Sequence, residues 1–266
     1  MRGDRRALVQ RFHGHLHDVW TRLARSVPGG WVEEASGMRC IATGSSSPSF
    51  NLALSAEGLR EPQAALAAAH DRFAGARLRW LLKLQPELDR AVVEQARRRG
   101  LEFDEEPVFG MPIRAWAARA EVTSDAALSI DVAGRDTIHD AVHCFAAAFD
   151  AAPEEVGREL GPNLLTVPTF TVFVGYVAGE PVASSMLATT RDVGLAGIYS
   201  VATRPTQRGR GFGTALTAAA LAEAGRQGYD TAVLEPSPSG EAMYRRMGFE
   251  PLTTYLEAVV SPGDGC

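Results

Sequence analysis

The residues most able to do chemistry lie in Ser200-Val201-Ala202-Thr203-Arg204-Pro205-Thr206-Gln207-Arg208-Gly209-Arg210-Gly211-Phe212-Gly213-Thr214. An apolar run, Leu195–Thr203, enters a turn with three glycines in five positions, and an Ala-rich segment, 213–227, follows it. Glycine lets the backbone turn sharply and lets a ligand approach main-chain N–H groups without a Cβ in the way. The start of a helix adds unpaired N–H groups and a positive dipole end. Together they make an anion cradle. No carboxylate occurs from Val193 to Ala222, whereas Arg204, Arg208 and Arg210 do. The chain as a whole carries a net charge of −5, so the local sign opposes the global one and suits a pyrophosphate.

Two familiar phosphate loops fail on their residues. A Walker A loop needs Gly-Lys-Ser/Thr, and the only lysine of the chain is Lys83. A dinucleotide fingerprint needs G-x-G-x-x-G; Gly209 and Gly211 fit, but Thr214 takes the third place. Arg208-x-x-Gly211-x-Gly213 instead resembles the acyl-CoA loop of the GNAT (GCN5-related) N-acetyltransferases. Downstream, Met243-Tyr244-Arg245-Arg246-Met247-Gly248-Phe249 is similar to that family's second hallmark. One helix and one strand separate the two, as in the family, and the element order of residues 128–260 matches as well.

The resemblance implies a role for each matching residue. The strand before the loop would splay from its neighbour and offer backbone groups of Val201 and Thr203 to the pantetheine arm, with Ala202 pointing the other way. The N–H of Val201 would donate to the thioester carbonyl. N–H groups of Arg208, Gly209, Arg210, Gly211, Phe212, Gly213 and Thr214 would hold the pyrophosphate of acetyl-CoA or another acyl-CoA. Tyr244 would protonate the departing thiolate, a task suited to a phenol, which donates at neutral pH. The implied reaction is direct attack of an amine on acyl-CoA. Here the sequence departs from the usual pattern, because Leu195–Val201 holds no Asp or Glu to take the proton of the amine. Glu235, ending the next strand, is the candidate base by order, with a capping or surface acid as the plain alternative. Ser237 and Ser239 are expected either to meet the pantetheine or to cap the helix that follows.

The elements that must position these residues are legible in outline. Leu8, Phe12, Leu16, Trp20 and Leu23 mark one face of a first helix, ended by Pro28-Gly29-Gly30. Strands are expected at 38–43, 78–84, 101–103 and 108–113, and helices at 62–74 and from Pro86 to about Arg99. The second half predicts a strand at 128–132 and helices at 136–149 (N-cap Asp136) and 153–160. A hairpin of 169–177 and 182–190 comes next, turning at Ala178-Gly179-Glu180. Strand 195–203, helix 213–227, strand 231–234, helix 239–247 and strand 254–260 complete the order. This is a mixed α/β (α+β mixed sheet) layout. Arg97-Arg98-Arg99-Gly100-Leu101-Glu102 is echoed by Arg245-Arg246-Met247-Gly248-Phe249-Glu250, which points to a duplication. The expected organisation is tandem GNAT-like acyl-CoA N-acyltransferase folds: a degenerate half over 1–120 without the loop, and an acyl-CoA-binding half over 121–266.

At 266 residues, 45% apolar and 22% charged, the chain suits one or two globular domains and is too apolar for disorder. Its acidic balance gives no general attraction to nucleic acid or anionic membrane. Its N-terminus lacks a signal-peptide core, and no stretch approaches 18 apolar residues, so a cytoplasmic location is expected. Cys40, Cys144 and Cys266 form neither a disulfide framework nor a zinc pair, and Cys144 reads as packed. Alanine and arginine usage suggests a bacterial genome of high G+C content. His139-Asp140-x-x-His143 has the spacing of a zinc motif with Asp for Glu, but no third ligand; no metal is expected. His13, His15 and His17 are expected to face solvent. Ser49-Phe50-Asn51 and Trp80 suit either a substrate cleft or burial. The expected partner is a small-molecule amine or a peptide, and the expected state a monomer or homodimer. Two other readings remain open at this point: a non-catalytic acyl-CoA sensor or structural protein of the same fold, and an unrelated nucleotide-binding protein.

Overall fold

The computed structural model describes residues 2–56, 59–117 and 127–264. The chain divides into two compact units, one of Met1–His15 with Val108–Leu252, the other of Leu16–Pro107 with Thr253–Cys266. The boundary expected at 120/121 lies in 118–126, outside the described residues, as does Cys266.

The periodic apolar face at the N-terminus forms helix α1, Arg2–Ser26. It stops where Gly29 turns left-handed, at φ 80°. The unit beginning at Leu16 then builds β1 (Trp31–Ala35), β2 (Met38–Ala42), β3 (Asn51–Ser55), α2 (Pro62–Gly75), β4 (Trp80–Leu84) and α3 (Arg90–Arg98). β1 and β2 form a hairpin through Ser36 and Gly37, both at positive φ. β2 pairs antiparallel with β3, and β3 parallel with β4, with α2 as the crossover. Its core joins Phe73 of α2, stacked on Trp80 of β4 with centroids 4.9 Å apart, to Leu66, Leu82 and Val92.

The other unit contains β5 (Asp104–Pro112, from Val108 on), α4 (Ile113–Ala117), β6 (Leu128–Val132), α5 (Ile138–Phe149), α6 (Pro153–Leu160), β7 (Phe170–Val177) and β8 (Glu180–Thr190). It continues with β9 (Leu195–Thr203), α7 (Phe212–Arg226), β10 (Thr231–Leu234) and α8 (Glu241–Met247). β6, β7, β8 and β9 run antiparallel in sequence, and β9 pairs parallel with β10 across α7. The β7–β8 hairpin turns through Ala178 and Gly179, both at positive φ, and Glu180, expected in the turn, is the first residue of β8. Leu216, Ala220 and Leu221 of α7 pack on Ala196 and Ile198 of β9 and Leu187 of β8. Burial of each large apolar side chain here contributes roughly 1.5–3 kcal/mol.

The two units repeat one scheme. A parallel pair with its crossover helix (β3-α2-β4, β9-α7-β10) is followed by a second helix (α3, α8) closed by a left-handed glycine, Gly100 at φ 83° and Gly248 at φ 101°. These glycines are the ones in the sequence echo. The strand after each closing glycine is exchanged. β5, which follows α3, pairs antiparallel with β10, and β11 (Glu250–Val260), which follows α8, pairs with β4.

Several expectations need correction. The segments 101–103 and 108–113 are one strand, β5, starting at Asp104. The helix expected from Pro86 starts at Arg90. The Gln85 side chain accepts the N–H groups of Glu87 and Leu88, and Asp89 accepts that of Gln85 at 2.7 Å, so residues 86–89 are held as a turn. The N-cap of α5 is Thr137, not Asp136, and the Thr137 hydroxyl accepts the Gly134 N–H at 2.9 Å. β11 begins at Glu250 rather than 254. β1 and β3 lie outside the expected strands, although Ser36-Gly37 is a hairpin turn signal. His13 and His15 are buried rather than exposed, and His17 is half-buried. The latter two find polar partners: His15 Nδ1 lies 2.9 Å from the Thr190 hydroxyl, and His17 Nε2 lies 3.0 Å from the Ser55 carbonyl oxygen. Asn51 and Trp80 are core residues. The Asn51 amide braces the loop before it through the carbonyls of Ser45 and Arg79.

Candidate functional site

The site forms where β9 and β10 part. Their register runs only from Thr231↔Leu195 to Val233↔Gly197. β9 continues to Thr203 along β8 alone, with a bulge opposite Ser184–Met186 and Ser200 at φ 52°. β10 ends at Leu234. Beyond Gly197 the two strands therefore diverge, as the resemblance implies.

Past Thr203 the chain makes a single 3-10 turn, Pro205–Gln207, and enters the glycine loop. Gly209 and Gly211 both sit at positive φ, 80° and 81°, where other residues are strained. Gly211 is the N-cap of α7, and no side chain caps that helix. Its first N–H groups thus remain available to a ligand. Gly213 is different. It is helical, and a Cβ there would press on the Met243 sulfur at 3.2 Å, so this glycine serves packing between α7 and α8.

A cavity of about 680 Å³ opens along this seam. Val201, Ala202, Thr203, Arg208, Gly209, Gly211, Phe212, Gly213, Thr214 and Tyr244 all line it, so the structure brings together most of the residues singled out above. Arg210 does not line it. Its guanidinium turns aside over the Phe212 ring, 4.8 Å from the centroid, and bonds the Gln207 side chain. Glu235, half-buried just past the end of β10, does not line it either. Arg208 is anchored by a 2.8 Å bond to the Ala148 carbonyl at the end of α5. Ser237 and Ser239 line the cavity and do not cap α8, whose N-cap is Gly240. The turn at 237–240 delays that helix to Glu241.

Five lining residues are not among the site residues the sequence points to: Ala148, Phe149, Gly240, Met243 and Arg246. Met243 and Arg246 lie on the same short helix as Tyr244. Phe149, whose spacing with Ile138, Val142 and Phe145 places it on the apolar face of α5, is instead 54% exposed at the C-terminal end of that helix.

Tyr244 is 7% exposed, and its ring meets Phe249 edge-on at 5.8 Å. Burial pushes its phenol up to about 12, a smaller effect of the Thr217 hydroxyl opposing. The group is a proton donor throughout the neutral range. Cys144, buried on α5, is pushed up to about 11 by burial, against the lowering effect of Arg204, and is a thiol without nucleophilic character. His139 and His143 are exposed on α5, and no cluster of three or more potential metal ligands occurs among the described residues. No described helix is long and apolar enough to cross a membrane.

Comparison with known proteins accords with this geometry. Residues 129–252 match the family model described as an acetyltransferase (GNAT) domain. Among solved structures, a GCN5-related N-acetyltransferase from Kribbella flavida is similar, with 20% identity, TM-score 0.72 and 95% of each chain covered. A tandem GNAT protein from the clavulanic acid biosynthesis pathway has 16% identity and TM-score 0.61, over 86% of this chain and 79% of that one. A GCN5-related N-acetyltransferase from Sphaerobacter thermophilus has 14% identity and TM-score 0.58, over 86% and 78%. No curated protein matches the chain. The parting strands and the glycine cradle thus lie in the stretch that matches the acetyltransferase (GNAT) domain model, residues 129–252, of a chain whose fold is similar to that of a GCN5-related N-acetyltransferase and of a tandem GNAT protein.

Proposed function

We propose that this protein is an N-acyltransferase that moves an acetyl or other acyl group from acyl-CoA to an amine, with a small molecule or peptide as acceptor. The observation that carries the reading is the meeting, in one cavity, of an uncapped helix start, two left-handed glycines and a buried protonated phenol. The first two fit a pyrophosphate. The third fits a departing thiolate.

In this reading the N–H groups of residues 208–214 bind the pyrophosphate, and Arg208 and Arg246 add positive charge at the cavity wall. The pantetheine arm lies in the gap between β9 and β10, against the backbone of Val201 and Thr203. The amine nitrogen attacks the thioester carbonyl carbon, and the Val201 N–H donates to the oxygen as charge develops on it. A C–N bond forms and the C–S bond breaks. Tyr244 gives its proton to the sulfur and is reprotonated from solvent. Glu235, just past the end of β10 and outside the cavity lining, takes the proton lost by the amine through an intervening water. Ser237 and Ser239 supply hydroxyls along the pantetheine. The unit bearing β1–β4 steadies the fold and lacks a glycine-arginine loop of its own. A cytoplasmic enzyme, monomeric or dimeric, is the setting we infer.

Calorimetric titration of acetyl-CoA into the purified protein tests the cofactor side, with Gly211→Asp as control. We expect binding to the natural chain and none to the variant, because an acid at a left-handed turn both strains the loop and repels the pyrophosphate. Absence of binding to the natural chain, with the fold intact, would overturn the proposal. A second reading, an acyl-CoA sensor, is favoured only by the lack of a carboxylate on β9. Tyr244→Phe separates the two: it should slow thiol release at least tenfold in an enzyme and leave acetyl-CoA affinity nearly unchanged.

A further inference from the structure

The point at which β9 and β10 part is marked by Gly197, the last residue of β9 in register with β10. A side chain there would project from the sheet beside the opening. The structure leaves no room for one: a Cβ at Gly197 would collide with His15 Nε2 and with the Tyr199 ring, whose Cζ stands 3.0 Å from it. The Tyr199 ring therefore lies back along β9, over Gly197, and brings its phenol to the place a side chain at 197 would occupy. His15 of α1 holds it there. The two rings stack at 6.0 Å with 16° between their planes, and the His15 imidazole is fixed through Nδ1 by the Thr190 hydroxyl, 2.9 Å away on β8. His15 is fully buried.

The Tyr199 hydroxyl is enclosed and finds no hydrogen-bond partner among the described residues. A buried hydroxyl without a partner costs about 1–3 kcal/mol, so such a group, on a residue two positions before the cavity-lining Val201, suits a ligand that supplies the missing bond. Burial, and to a lesser degree the charge of Glu235 across the gap, hold this phenol well above its ordinary pKa. It is a neutral group that accepts a hydrogen bond through oxygen, and it leaves the base role to Glu235.

We propose that Tyr199 is the acceptor-orienting residue of the transfer: its phenol oxygen accepts a hydrogen bond from the attacking amine and aims the nitrogen at the thioester, with His15 as the positioning residue behind it. This rests on the N-acyltransferase reading above. It explains why β9 can lack a carboxylate at the parting of the strands, since a tyrosine two residues on occupies that space. It also assigns a task to the N-terminal helix, which the glycine loop does not require.

The test uses the full chain, acetyl-CoA, and a panel of primary amines made up of a polyamine, an amino acid, an aminoglycoside and a short peptide. Free thiol is followed for turnover and calorimetry reads acetyl-CoA affinity. Tyr199→Phe keeps the ring over Gly197 and removes only the hydroxyl. We expect kcat/KM for the amine to fall about tenfold, the size of one hydrogen bond to substrate, with the acetyl-CoA Kd within about twofold of the natural chain. His15→Asn keeps a nitrogen facing Thr190 but removes the supporting ring. It should lower the same parameter in the natural background and add little to Tyr199→Phe, as expected of residues acting through one group. Unchanged amine kcat/KM in Tyr199→Phe would overturn the assignment while leaving the transferase reading intact. So would a loss confined to acetyl-CoA affinity, or additive losses in the double variant. If the natural chain binds acetyl-CoA and no amine raises thiol release, the transferase reading falls, and this assignment with it.

Discussion

Tyr244 and Tyr199 show how one residue type takes two environments in one site. Both phenols are held protonated by burial, yet Tyr244 opens onto the cavity and Tyr199 is folded back over Gly197. For Tyr244 the sign can be worked out. The folded state favours the neutral phenol, so the unfolded chain ionises first, near the ordinary value of 10, and the folded one at about 12. The stability this preference contributes is complete below pH 10 and is lost as pH rises through about 12. The thiol-release rate should accordingly show no descending limb from Tyr244 below pH 10. A pH–rate profile measured with and without Tyr244→Phe checks this, and a descending limb below that pH that the variant abolishes would show that the Tyr244 phenol ionises lower than its burial implies.

At the scale of elements, the loop and helix α7 are specified locally. Glycine at the two left-handed positions and the absence of a side-chain cap depend on residues within a few positions of one another. The pairing of β4 with β11 depends on distant ones. Lys83 lies opposite Glu257 in register, and its ammonium reaches the carboxylate at 2.6 Å with only 4% of the side chain exposed. Removing one partner of a buried pair leaves the other charged and desolvated. Lys83→Ala should therefore destabilise the protein by about 3 kcal/mol in urea denaturation, and a double change of Lys83 and Glu257 to a well-packed apolar pair should recover most of it. A loss below about 0.5 kcal/mol in the single variant would mean that the pair behaves as a surface one.

For the whole molecule, the exchange of the strands after α3 and α8 is the decisive feature. Residues 121–266 contain the glycine loop and Tyr244 but not β5, which pairs with β10 from Thr231↔Pro112 to Leu234↔Phe109. They also lack Phe109, Met111 and Ile113, all buried in the core that carries α7. Each such side chain contributes roughly 1.5–3 kcal/mol by burial, a sum comparable with the stability of a whole domain. A chain starting at residue 121 should thus fail to give a cooperative thermal transition by circular dichroism, and should bind no acetyl-CoA. A truncated chain that melts cooperatively and binds acetyl-CoA would show that β5 is dispensable.

The glycine loop, the order of strands and helices after residue 128, the hairpin at Ala178-Gly179 and the closing glycines Gly100 and Gly248 are all legible in the residues alone. These depend on backbone preferences and hydrophobic periods that act over a few residues. Folding sets what they do not show: that His15 meets β9, that Tyr199 fills the space over Gly197, and that β5 and β11 change places. The same holds for the burial of His13 and His15, polar residues whose spacing on a helix predicted exposure. The physical reason is one of range. Local signals state what a segment prefers to be, whereas the partner of a buried imidazole or an open strand edge is chosen by which distant surfaces close together, and a window of a few residues carries no term for that.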